Sequence, residues 1–130
     1  MKTDNELIAE FMGLRVYKIS SGNCYGVLAN GKPAKHPTKR HESHLRYSSS
    51  WDWLMPVVEK IESIGYATKI RYEAFTQGEE MGYHDIEIFT LNENNGYLRV
   101  ACCTERIPKI QAVYKAVVEF IKWYNTQKTN

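Results

Sequence analysis

Three histidines stand close together in one stretch of this chain: His36, His41 and His44. Neutral imidazoles are common metal ligands, and three from one loop would hold a cation if a fourth donor joined them. Cys24 is the nearest upstream thiol. The intervals, four residues and then two, match no familiar zinc spacing, and the lysines and arginine around them repel a cation. The expectation is therefore no bound metal and no cofactor. A metal-dependent hydrolase is the alternative function these three residues would serve.

The same stretch is basic. Lys32, Lys35, Lys39, Arg40 and Arg46 face a single acid, Glu42, between Asn30 and Tyr47. Such clusters attract phosphates, and the neighbouring Tyr47 and Trp51 have rings of the kind that stack on bases. These five cations are the candidate residues for binding an anion or nucleic acid, set against the plainer reading of a solvated loop. The net charge of the whole chain is only +2, too small by itself to imply a polyanionic or membrane partner.

The remaining reactive residue types assemble into no known catalytic pattern. His84 and Asp85 are neighbours on a strand-like segment, so their side chains point to opposite faces. The same holds for Cys102 and Cys103. Asp52, Glu59 and Glu62 read as solvating carboxylates on a helix. No glycine-rich phosphate loop, nucleophile elbow or HExxH motif occurs. Trp53 and Trp123 flank the apolar arcs of two helical segments. They either seal a core or, where partly exposed, anchor a partner, which makes them the candidate interface residues.

The elements that would position these groups follow from composition and periodicity. With 130 residues, 43% hydrophobic and 25% charged, the chain reads as one globular domain. Three cysteines without paired spacing suit a reducing compartment, the acids near the N-terminus argue against an export signal, and no apolar run spans a bilayer; a cytoplasmic location is expected.

Thr3 and Glu6 have capping-box spacing ahead of Leu7, Ile8, Phe11 and Met12, and Gly13 provides a stop. Strands are expected near Arg15–Ser20 and Cys24–Ala29, joined at Ser21-Gly22-Asn23. The stretch from Lys32 to Tyr47 has no hydrophobic period and reads as a loop. Ser50 caps a helix over 51–64 whose apolar face is Trp51, Leu54, Val57, Val58, Ile61 and Ile64. Pro56 violates that helix and should kink it. Strands near Tyr66–Phe75, Tyr83–Leu91 and Tyr97–Cys103 follow, broken by Thr76–Gly82 and by a turn at Asn95-Gly96. Ile86 and Ile88 are expected to meet Leu98 and Val100 on one face. A last helix begins at Pro108, with Ile110, Val113, Tyr114, Val117, Phe120, Ile121 and Tyr124 on its apolar side and a Lys115–Glu119 pair on the other.

Three segments, NELIAEFMG at 5–13, WDWLMPVVEKI at 51–61 and AVYKAVVEFIKWYN at 112–125, resemble the phage ABA sandwich domain family. The resemblance spans effectively the whole chain. The elements read above run α-β-β-α-β-β-β-α, an α+β order with a mainly antiparallel five-stranded sheet, and the resemblance implies that they form a three-layer α/β/α sandwich. It implies a phage or prophage accessory protein and no particular chemistry. The expected function is a non-catalytic binding module for a protein or a small anionic molecule such as a nucleotide. Nucleic acid bound through 32–47 is the first alternative. A homodimer through a sheet edge or the tryptophan-bearing helix is a further expectation.

Overall fold

The computed structural model describes residues 2–73, 82–92 and 96–128. The elements are α1 (Asp4–Phe11), β1 (Val16–Ile19), β2 (Gly22–Val27), β3 (Thr38–His41), a single 3-10 turn (Glu42–His44), α2 (Trp51–Ser63), β4 (Ala67–Glu73), β5 (Tyr83–Asn92), β6 (Gly96–Glu105) and α3 (Lys109–Lys128). The protein is α+β, with the described strands in two antiparallel three-stranded sheets, β1-β2-β3 and β4-β5-β6. One expectation is corrected here: among the described residues six strands in two sheets stand where five strands in one were expected. The break expected over Thr76–Gly82 and the turn at Asn95-Gly96 fall largely on residues outside those described. Contacts divide the chain into two compact units, residues 1–60 and 61–130, with the division inside α2.

In the first unit the capping box forms as its spacing predicts. Thr3 accepts from the Glu6 N–H at 3.2 Å, and Glu6 accepts from the Thr3 N–H at 3.0 Å. The helix ends where Gly13 turns to φ +76°; its N–H donates to Glu10 and that of Leu14 to Ala9, so buried Leu14 folds back under the helix. The Lys60 ammonium donates to the Phe11 carbonyl, placing positive charge at the negative end of α1.

The β1–β2 turn falls at Ser20-Ser21, because Ile19 pairs with Gly22; Gly22 and Asn23 belong to the strand. The unexpected strand is β3. Its sequence, Thr-Lys-Arg-His, lacks an apolar alternation because it is a short edge strand with almost no buried side chain. It is held by backbone pairing to β2, and Pro37 sits where Gly26 leaves no Cβ in its way.

Helix α2 runs unbroken through Pro56, with Ser50 directly before it and the Ser50 carbonyl accepting from the Leu54 N–H at 3.0 Å. Trp53, Leu54, Val57, Val58 and Ile61 are buried, whereas Trp51 and Ile64, expected on the same face, are exposed at its ends.

In the second unit α3 packs on β5 and β6. Ala112, Val113, Ala116, Val117, Val118, Phe120 and Ile121 are its buried residues. Beneath them lie Ile86 and Ile88 of β5 with Ala101 and Cys103 of β6. Lys115 pairs with Glu105 at 2.8 Å rather than with Glu119.

Of the apolar face expected to match Ile86 and Ile88, Leu98 pairs with Thr90 and so lies on their side, but the direct partners of Ile86 and Ile88 are Cys103 and Ala101, and Val100 falls in a bulge of β6. Ile88 pairs with Ala101 but Phe89 pairs with Arg99, leaving Val100 as an extra residue. Since strand side chains alternate, that residue reverses the phase of everything before it in β6.

Candidate functional site

The bulge decides which side chains share the face of β4-β5-β6 turned away from α3. Without it, Tyr97 and Arg99 would point with Ala101 and Cys103 toward the helix. With it, they join Lys69 of β4 and Glu87 and Phe89 of β5 on the opposite face. Lys69 pairs across the strands with Glu87, and Phe89 with Arg99. Together these five residues line a cavity of about 380 Å³.

Three features of this cavity carry chemistry. Tyr97 is 72% exposed, and its ring meets that of Phe89 edge-on at 4.8 Å. An exposed ring held by a second ring is a stacking platform. Lys69 and Arg99 supply cations at the rim. The Glu87 carboxylate lies between them, with Arg99 Nη1 at 3.8 Å, too far for a tight ion pair and close enough to orient both groups. One row further along the same face, Asp85 is buried, bonded to Arg71 at 2.6 Å and to the Thr104 hydroxyl at 3.0 Å. That row is a closed network that stiffens the sheet. The row holding Glu87 is looser and faces the cavity.

The five cations of the sequence motif are all exposed. Lys39 and Arg40 are consecutive on β3 and so project to opposite faces, with Lys39 4.2 Å above the Tyr17 ring. Lys32 follows the turn at Gly31, where its N–H donates to Asn30 at 3.2 Å; Lys35 and Arg46 lie outside the strands. Of the two rings expected to stack beside them, Tyr47 is fully buried and edge-on to Trp53 at 5.2 Å, whereas Trp51 is exposed.

The histidines gather no metal site: among the described residues no group of three His, Cys, Asp or Glu side chains is placed to hold an ion. His36 is exposed. His41 has Nδ1 2.8 Å from the Ser43 hydroxyl and Nε2 3.2 Å from the Ser21 carbonyl, which occupies both ring nitrogens. The His44 ring stands 6.2 Å from that of His41. His84 and Asp85 do take opposite faces; His84 bonds the Ile107 carbonyl at 3.0 Å and lies against Tyr72. Cys103 is buried, which pushes its thiol above the ordinary range and keeps it unreactive.

Trp53 as an interface residue is a correction. It is 5% exposed, under the Gly31 turn and against Tyr47, because the α2 face it shares with Leu54 and Val57 is the buried one. Trp123 is half-buried within an aromatic group, 5.9 Å from Tyr66 and from Phe120.

Sequence reasoning placed Glu6 in the capping box but missed its bonds to residues distant in the chain. Its carboxylate is 7% exposed and accepts from Thr3 N–H, Asn23 Nδ2 at 3.3 Å and Tyr25 Oη at 3.1 Å. The Thr3 bond chiefly holds this carboxyl below the usual carboxylate range, against the opposing effect of burial. Glu42 accepts from the neighbouring Asn23 N–H, so α1, β2 and the 3-10 turn are joined at one point. This is a structural knot.

Among the described residues no helix is long and apolar enough to cross a membrane. No protein-family model, curated protein or solved structure matches the chain.

Proposed function

We propose that this chain is a non-catalytic binding module for a small planar anion, and that a nucleotide is the chemical class it takes. The observation that carries the reading is the cavity of about 380 Å³ on the open face of β4-β5-β6. Its volume falls within the range of small-molecule sites, roughly 300–1,000 Å³. A base stacks on Tyr97, a phosphate meets Lys69 and Arg99, and Glu87 is a hydrogen-bond acceptor for the base edge. The mixed charge favours a mononucleotide over a long polyanion, because Glu87 would repel a run of phosphates.

The resemblance to the phage ABA sandwich domain supports assigning such a module to a phage or prophage, acting in the cytoplasm. A three-layer α/β/α arrangement of the helices and sheets is part of the same proposal. Isothermal titration of the whole chain with a panel of nucleoside monophosphates tests the binding reading. Binding that disappears in Tyr97→Ala, with the melting temperature unchanged, is the expected result. No heat with any nucleotide overturns it. Salt-sensitive binding of an oligonucleotide that is lost in a Lys39→Ala/Arg40→Ala variant would instead favour the exposed cations of 32–46.

A further inference from the structure

We infer that the site selects guanine, with Glu87 as the residue that reads the base; this rests on the nucleotide reading above. A carboxylate offers two acceptor oxygens and no donor. Its complement is a base edge with two adjacent donors. Guanine has one, in N1–H beside the 2-amino group. Adenine sets its 6-amino group beside the N1 lone pair, and cytosine sets its 4-amino group beside that of N3. Uracil flanks N3–H with two carbonyls. Opposite Glu87 each of these three faces a lone pair with a lone pair, in a site where an unmatched polar group is costly.

The geometry suits the purine. Glu87 and Phe89 are two residues apart on β5 and point to the same face. That separation is about 7 Å, which a purine over the Phe89–Tyr97 pair spans together with one hydrogen bond of about 2.9 Å. The Glu87 side chain is 27% exposed, so it is partly withdrawn from water yet reachable. Lys69 is its cross-strand partner, and Arg99 Nη1 stands 3.8 Å from its carboxylate. Both cations remain at the rim for the phosphate. Asp85 does not compete for the base, since Arg71 and Thr104 already occupy its oxygens.

The test is calorimetric titration of the intact chain with GMP, IMP and AMP, repeated on Glu87→Gln and Glu87→Ala. GMP should bind about tenfold to a hundredfold more tightly than AMP, the discrimination expected of one bidentate base contact. IMP, which lacks the 2-amino donor, should fall between them. Both variants should lose the GMP-to-AMP ratio while still binding AMP and keeping the wild-type melting temperature. Equal affinity for GMP and AMP in the wild type overturns guanine selection and leaves the nucleotide site standing. A preference that survives in both variants removes Glu87 from the role. Absence of binding by all three nucleotides overturns the selection and the site together.

Discussion

Replacing Glu6 should be among the most damaging single changes available on the polar side of this protein. In Glu6→Ala the Thr3 N–H loses its side-chain partner, which dismantles half of the capping box, and the Tyr25 hydroxyl and Asn23 amide lose their acceptor. Loss of a helix-capping interaction costs about 1 kcal/mol. Tyr25 is 1% exposed, so its stranded hydroxyl adds a desolvation cost of about 1–3 kcal/mol. A total near 3 kcal/mol is expected from urea denaturation at neutral pH, against about 1 kcal/mol for Glu6→Gln, which keeps the shape and one acceptor oxygen.

The pH dependence sharpens the case. The folded carboxyl is held below its unfolded value of about 4.3, so the unfolded chain binds the proton first. Its contribution is complete above that value and is lost as pH falls through the folded pKa. Wild-type stability should therefore decline below about pH 5 more steeply than that of Glu6→Gln. A Glu6→Ala variant within about 0.5 kcal/mol of wild type, or identical acid slopes for wild type and Glu6→Gln, would refute the argument.

Two further stability predictions rest on single observations. The Tyr47 hydroxyl is buried without a hydrogen-bond partner, so Tyr47→Phe should raise stability by about 1 kcal/mol; a loss in denaturant titration would show that the hydroxyl is satisfied. Gly31 has φ +80° and an added Cβ would lie 3.1 Å from Trp53 Cα, whereas Gly13 at φ +76° faces open space. Gly13→Ala should cost only the left-handed penalty of about 1–2 kcal/mol, and Gly31→Ala more than that. Equal losses would mean that the Trp53 contact yields without cost.

The helices were legible because their information is local. Thr3, Glu6 and Gly13 specify both ends of α1 through bonds only a few residues long, and the stripes of α2 and α3 repeat at the helical period. Strand alternation was readable in β4 as well: Thr68, Ile70 and Tyr72 do part from Lys69 and Arg71, although Ile70 and Tyr72 are exposed. β3 was not readable, because an exposed edge strand is stabilised by pairing to β2 and needs no apolar pattern of its own. The knot at Glu6 could not be foreseen either, since Asn23, Tyr25 and Glu42 are distant in sequence and meet only when β2 returns past α1.

The clustered cations and histidines drew attention because side chains near in sequence are easy to imagine acting together. The fold instead sends Lys39 and Arg40 to opposite faces and ties His41 to Ser21 and Ser43. The candidate cavity depends on a single backbone event. One extra residue in β6, Val100, turns Tyr97 and Arg99 onto the face of Lys69 and Glu87. Sequence alone determines residue types, helix limits and the parity of a regular strand. Where two strands slip by one residue is settled by their packing together, and that slip decides which chemistry shares a surface.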